Sequence, residues 1–223
     1  MIAAATLGLL LLIVLPARAL LHSRRGPSKR SLASRYARTT VEIAVLLSAL
    51  MLVAFLTGLT AEDLGLAWPP PRAGQIGLVI TALIIGGLAT AVLLMHGRRS
   101  PREQQALAEL PRGRRDTGLY LLFALTAGFG WELLYRGFLL WWLTPLIGLA
   151  GAVAAASIAY GLAHGWKSLG NGLGAIGSAF LFAIAFAATG SLWWLIALHI
   201  GLPLIALLAG WRVRHQGTET LSA

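Results

Sequence analysis

The stretch Gly118–Thr144, with the sequence GLYLLFALTAGFGWELLYRGFLLWWLT, is an apolar run of the kind that crosses a membrane. At about 1.5 Å per residue, a helix of this length spans ~40 Å, whereas the hydrocarbon core of a bilayer is ~30 Å thick. Only 12% of the 223 residues are charged, against about 25% in a soluble domain. We therefore predict an all-α, polytopic transmembrane helix bundle of about seven spans. The other runs are Ile2–Leu21, Val41–Thr60, Gly74–Met95, Pro145–Ala163, Asn171–Thr189 and Leu192–Trp211.

The basic residues predict how the bundle sits in the membrane. Arginines and lysines collect in alternate loops and in the segment after the last run. Because positive residues favour the cytoplasmic side, we predict the N-terminus outside and the C-terminus in the cytoplasm. The richness in Ala, Leu, Gly and Arg hints at a bacterial plasma (inner) membrane. Basic residues that flank spans act as topology signals or contact membrane lipids, so no nucleic-acid partner is expected.

The runs and loops predict two units and a tail. Residues 1–116 form three N-terminal transmembrane spans with basic cytoplasmic loops, residues 117–211 a four-span unit, and residues 212–223 a cytoplasmic tail. The fourth run is longer than one straight span needs. Since Gly128 and Gly130 lie inside it, we expect a break in the helix or an interfacial entry segment.

Four polar residues within the predicted spans are the candidates for function: Glu132, Arg136, His164 and His199. A charge in hydrocarbon is costly, so such residues usually face the bundle interior and often mark function. Glu132 and Arg136 are four positions apart on one helix face, which fits either a structural ion pair or a carboxylate whose charge the arginine sets.

The two histidines and the carboxylate leave three kinds of chemistry open. Together they can perform acid–base work on a water molecule or hold a divalent metal such as zinc. The two histidines alone, on separate helices, can ligate haem. The chain has no cysteine, which excludes a disulfide scaffold, thiolate metal sites and a cysteine nucleophile.

Three short motifs resemble those of a known family of membrane proteins. The segment Gly130–Leu139, GWELLYRGFL, resembles a Glu-Glu-x-x-x-Arg motif. Tyr160-x-x-x-His164 resembles Phe-x-x-x-His, and His199 resembles the start of His-x-x-x-Asn. In this order they are similar to the CAAX protease and bacteriocin-processing family (CPBP, or ABI) of intramembrane proteases, whose eukaryotic relative is CAAX prenyl protease 2. The resemblance covers roughly residues 116–208.

The resemblance implies an intramembrane endopeptidase in which a glutamate and a histidine activate a water molecule. Carried over to this chain, it implies catalytic roles for three residues: Glu132 or a metal supplies the base, His164 assists it, and His199 stabilises the oxyanion. Arg136 is assigned to a structural ion pair with Glu132 from their spacing. The same three residues are the candidate ligands of a divalent metal such as zinc, if there is a cofactor. The expected partners are membrane lipids and a peptide or membrane-protein substrate.

Two positions depart from the family pattern. Trp131 stands where the family has its first glutamate, and Pro203 stands where it has the asparagine. Pro203 has no N–H and no polar side chain to donate to an oxyanion. An alternative is therefore a catalytically silenced member that acts as a membrane binding, bacteriocin-immunity or scaffold protein. A small transporter or proton relay is a third interpretation.

Overall fold

The protein is all-helical in its computed structural model, which describes residues 2–23, 30–94, 110–111, 113–166 and 168–219, with the backbone alone for 214–219. In the described part, six helices are long and apolar enough to cross a membrane. The predicted fold class is confirmed, whereas the seven-span count and the orientation of the termini stay predictions. The helices are α1 (Ile2–Ser23), α2 (Leu32–Thr57), α3 (Arg72–Leu94), α4 (Arg114–Ala163), α5 (Leu169–Thr189) and α6 (Trp193–Glu219).

Helix α4 joins two of the predicted runs but bends back at Gly148. Gly148 has φ 73° and ψ 163°, a conformation that is essentially confined to glycine. Pro145, three residues earlier, also removes one helical N–H. The rings of Tyr135 and Tyr160 lie 5.1 Å apart, so the chain after Gly148 returns along the chain before it. We call residues 114–147 the first arm of this hairpin and residues 149–163 the second arm.

This hairpin brings two distant candidates to one depth. Glu132 lies as many positions before Gly148 as His164 lies after it. At about 1.5 Å per residue, both are therefore about 24 Å from the bend along their arms. The boundary between the predicted runs, after Thr144, places Glu132 closer to the turn than His164 and therefore at a different depth.

The break expected at Gly128 and Gly130 is wrong, because the backbone is continuous α-helix through both residues. Their small size serves helix contact instead. A Cβ on Gly128 would lie 2.5 Å from Ile200 in α6, and one on Gly130 would overlap Ile43 in α2. Glycines thus admit a neighbouring helix on two sides of the first arm.

The first arm forms the centre of the bundle. Every residue from Glu132 to Leu140 is buried. Helices α2 and α6 pack on this arm, α5 packs on the second arm, and α1 packs along the segment 139–163. Helix α6 continues beyond Trp211 to Glu219, so it includes most of the predicted tail.

We predict that Gly148→Ala destabilises the protein by about 1–3 kcal/mol, since alanine does not adopt this positive-φ backbone without strain. The measurement is thermal unfolding in detergent. Gly118→Ala is the control, because Gly118 is helical and a Cβ there meets no atom within 4 Å. That control should leave stability unchanged or slightly raised. Equal effects of the two substitutions would contradict the bend.

Candidate active site

The Glu132 carboxylate lies at the centre of a buried polar cluster. Its side chain is 1% exposed. Oε1 accepts a hydrogen bond from Arg136 Nη1 at 3.3 Å and lies 2.8 Å from His199 Nδ1. His199 is on α6, so the fold joins the first arm and α6 through this one oxygen. Three of the four candidates from the sequence are therefore in direct contact.

A π-helical turn follows Glu132 directly. It spans Leu133–Phe138 and contains Arg136. The N–H of Leu139 bonds to the carbonyl oxygen of Leu134, five residues earlier, which is the wider hydrogen-bond pattern of a π-helix. A π turn alters the angular relation between the residues on either side of it, and such turns are frequent at functional sites. Here it lies between the carboxylate and the rest of the buried helix.

Arg136 is held on its other side by an aromatic ring that sequence analysis did not count among the site residues. The side chain is 2% exposed, and its guanidinium carbon lies 4.0 Å from the ring centroid of Tyr160. A desolvated cation over an aromatic face is stabilised by the ring quadrupole. The signal for Tyr160 was present in the sequence, since it is the aromatic residue that opens the second motif.

His164 caps the second arm next to the same tyrosine. Its ring centroid lies 4.3 Å from that of Tyr160, and its Nδ1 lies 3.0 Å from the Tyr160 carbonyl oxygen. A carbonyl oxygen only accepts, so Nδ1 is the donor of this bond. In the neutral ring, Nε2 is then the nitrogen that carries a free lone pair.

A cavity of 310 Å³ lies between the two arms of the hairpin and helices α5 and α6. All three predicted catalytic residues lie in its walls. Glu132, His164 and His199 line it, together with Pro203. The remaining walls are mostly apolar, as in small-molecule and peptide pockets that carry a few polar groups. These walls are formed by Tyr160, Ala175, Ser178, Phe182, Leu195, Leu198 and Leu202.

Trp131 lines a different cavity. Its ring lies 5.9 Å from that of Tyr135 and borders a second cavity of 300 Å³ that also contains Arg18 and Glu42. Adjacent residues on a helix point about 100° apart, so residues 131 and 132 line different cavities. The family's first glutamate position thus adjoins the second cavity in this chain, whereas the second position adjoins the histidines.

The described side chains do not assemble a metal site. No group of three His, Cys, Asp or Glu residues among them could hold a metal ion. A catalytic zinc site uses three protein ligands, and Glu132 Oε1 is already bonded to Arg136 and in contact with His199. Glu132, His164 and His199 therefore do not form such a group in the structure, and a divalent metal stays a prediction.

Comparison with known proteins finds one family match. Residues 114–205 match the family model described as type II CAAX prenyl endopeptidase Rce1-like. The match begins with the first residue of α4 and ends just after Pro203, so it contains the hairpin, α5 and His199. No curated protein and no solved structure matches the chain.

We predict that Arg136→Leu costs about 3–5 kcal/mol, because it leaves the Glu132 carboxylate buried without its cation. Thermal unfolding in detergent measures the loss. The double variant Glu132→Leu/Arg136→Leu should be less destabilised than the single one, since no buried charge remains. Arg115→Leu, at an exposed position in the first turn of the same helix, is the control and should have little effect. A double variant as unstable as the single one would contradict the ion-pair interpretation.

Proposed function

We propose that this chain, whose residues 114–205 match the Rce1-like family model of type II CAAX prenyl endopeptidases, is an intramembrane peptide hydrolase. The observation that carries the proposal is the 2.8 Å contact between Glu132 Oε1 and His199 Nδ1 at the wall of a cavity that His164 also lines. A carboxylate behind an imidazole, beside a second imidazole, is an arrangement suited to acid–base hydrolysis.

The accessibility of the groups favours His199 as the base that contacts the water. Glu132 is 1% exposed and its Oε2 is inaccessible to solvent, whereas the His199 side chain is 28% exposed. A carboxylate that accepts from Nδ1–H fixes the tautomer, so Nε2 is free to take a proton. Glu132 is then a positioning residue and not the base that the family resemblance implies.

His164 supplies the second proton function in this mechanism. Its Nδ1 is held by the Tyr160 carbonyl, and the side chain lines the same cavity. His199 Nε2 takes a proton from water as the water oxygen bonds to the scissile carbonyl carbon. When the carbon–nitrogen bond breaks, His199 gives this proton to the departing amine, while Nε2 of the neutral His164 takes the proton of the new hydroxyl group, so that the product leaves as a carboxylate. The substrate is a peptide or a membrane protein whose scissile bond enters the cavity.

A silenced binding protein is the second candidate, and Pro203 is the observation that favours it. Pro203 lines the cavity at the position of the family's asparagine, and its carbonyl accepts a hydrogen bond from the Tyr120 hydroxyl at 3.1 Å. Proline adds no donor for an oxyanion. In this alternative the cavity binds a peptide segment without cleaving it.

We predict that wild-type protein in proteoliposomes cleaves members of a peptide library that includes prenylated C-terminal peptides. His199→Ala and His164→Ala should each lower kcat/KM by about 10²-fold or more, the usual contribution of an acid or base. Products are identified by mass spectrometry. His22→Ala is the matched control, because His22 lines the second cavity and should leave the rate unchanged. Cleavage that survives both cavity variants would place the chemistry elsewhere.

We also predict that Trp131→Glu does not create activity in a preparation whose wild type is silent. The new carboxylate would adjoin the second cavity, with Arg18 and Glu42, and not the histidines. The same library assay tests this, with thermal unfolding to show that the variant folds. New cleavage by Trp131→Glu would show that the wild-type chain is a silenced enzyme and that residue 131 can reach the substrate.

A further inference from the structure

The second cavity is lined by positive charge. The cavity has a volume of 300 Å³. Arg18 and His22 of α1 and Arg38 and Glu42 of α2 line it, together with Arg30, which precedes α2 in the sequence. Arg18 and Arg38 thus line the cavity together with one carboxylate, Glu42, which forms its ion pair with Arg18. Among the described residues Arg38 has no ion-pair partner. The cavity therefore has a surplus of positive charge that attracts an anion.

The depth of Arg38 matches the level of lipid headgroups. Helix α2 has 26 residues, so it is about 39 Å long, which exceeds the ~30 Å hydrocarbon core by about 9 Å. Arg38 lies six positions after Leu32, the first residue of α2, which is again about 9 Å. Both basic residues of α2, Arg35 and Arg38, lie before the apolar run that starts at Val41, which assigns the excess length to this end of the helix. The guanidinium of Arg38 thus lies near the boundary between headgroups and hydrocarbon.

Beyond Arg38 the same helix face becomes apolar and open. Val41 and Val45 follow at the i+3 and i+7 positions, which share a face with Arg38. They are 62% and 63% exposed. A ligand that satisfies both parts of this face has an anionic group for the cavity and a hydrocarbon chain for the valines.

We propose that the second cavity binds the phosphate of an anionic phospholipid, whose acyl chain lies along Val41 and Val45. A guanidinium pairs well with phosphate, because its donors match two phosphate oxygens at once. The Trp131 ring forms the inner wall of the cavity. A membrane protein meets such lipids at high local concentration, and juxtamembrane arginines strengthen their binding. The proposal stands independently of the proposed peptidase activity.

The test is native mass spectrometry of the full chain in detergent with dioleoyl phosphatidylglycerol. Arg38→Gln should weaken lipid retention about fivefold, the usual effect of one arginine near an anionic membrane. Arg35→Gln is the matched control, since Arg35 is exposed on the same helix and does not line the cavity. It should change retention less than twofold. Equal losses in the two variants would overturn the proposal.

A substitution that changes the charge of the cavity in the opposite direction provides a second test if Arg38→Gln folds poorly. Glu42→Gln removes the only acid among the described residues that line the cavity and should increase retention of phosphatidylglycerol. Phosphatidylcholine with the same chains should be retained less than phosphatidylglycerol by the wild type. Unchanged retention in Glu42→Gln, or equal retention of the two lipids, would overturn the proposal.

Two competitors distinguish the possible sources of the anion. Millimolar inorganic phosphate carries the headgroup charge without a chain, and it should displace little lipid. A peptide with a free C-terminal carboxylate should displace little as well. Full displacement by phosphate would assign the cavity to a free anion, and full displacement by the peptide would assign it to a substrate; either result overturns the lipid assignment.

Discussion

A carboxylate buried in a membrane bundle has to be compensated, and the compensation of Glu132 organises the centre of this protein. Burying an unpaired charge costs many kilocalories per mole, so an acid that is 1% exposed requires cations or donors from its surroundings. Arg136 supplies one from the next turn and His199 supplies the other from α6. Arg136 in turn rests on Tyr160 of the second arm. One buried charge thereby links three helical segments.

Small residues let the helices approach closely enough to form these polar contacts. Gly128 lets α6 approach the first arm close to His199. On the second arm, a Cβ at Gly161 would lie 2.8 Å from the backbone of Ile176, so α5 also packs closely there. Close approach of backbones is the usual basis of helix association in lipid. The cavity lined by Glu132, His164 and His199 lies between helices that these glycines bring together.

The first arm separates two cavities of different character. Glu132 faces a largely apolar cavity with two histidines, whereas Trp131 adjoins one that is rich in arginine. One helical step of about 100° is enough for this separation. The proposed peptide chemistry and the proposed lipid site thus share a helix without sharing side chains, and a change at residue 131 acts first on the arginine-rich side.

The sequence by itself determined the helical fold class, the apolar segments and the four candidate polar residues, because hydrocarbon tolerates few charges and any that occur are conspicuous. It also placed Glu132 and Arg136 on one face, since that relation is local. Only the tertiary structure decided that the chain folds back at Gly148, that His199 contacts Glu132, and that Trp131 adjoins another cavity. The break expected at Gly128 and Gly130 was wrong, because a glycine permits either a bend or a close neighbouring helix. The packing of the other helices decides which of the two occurs.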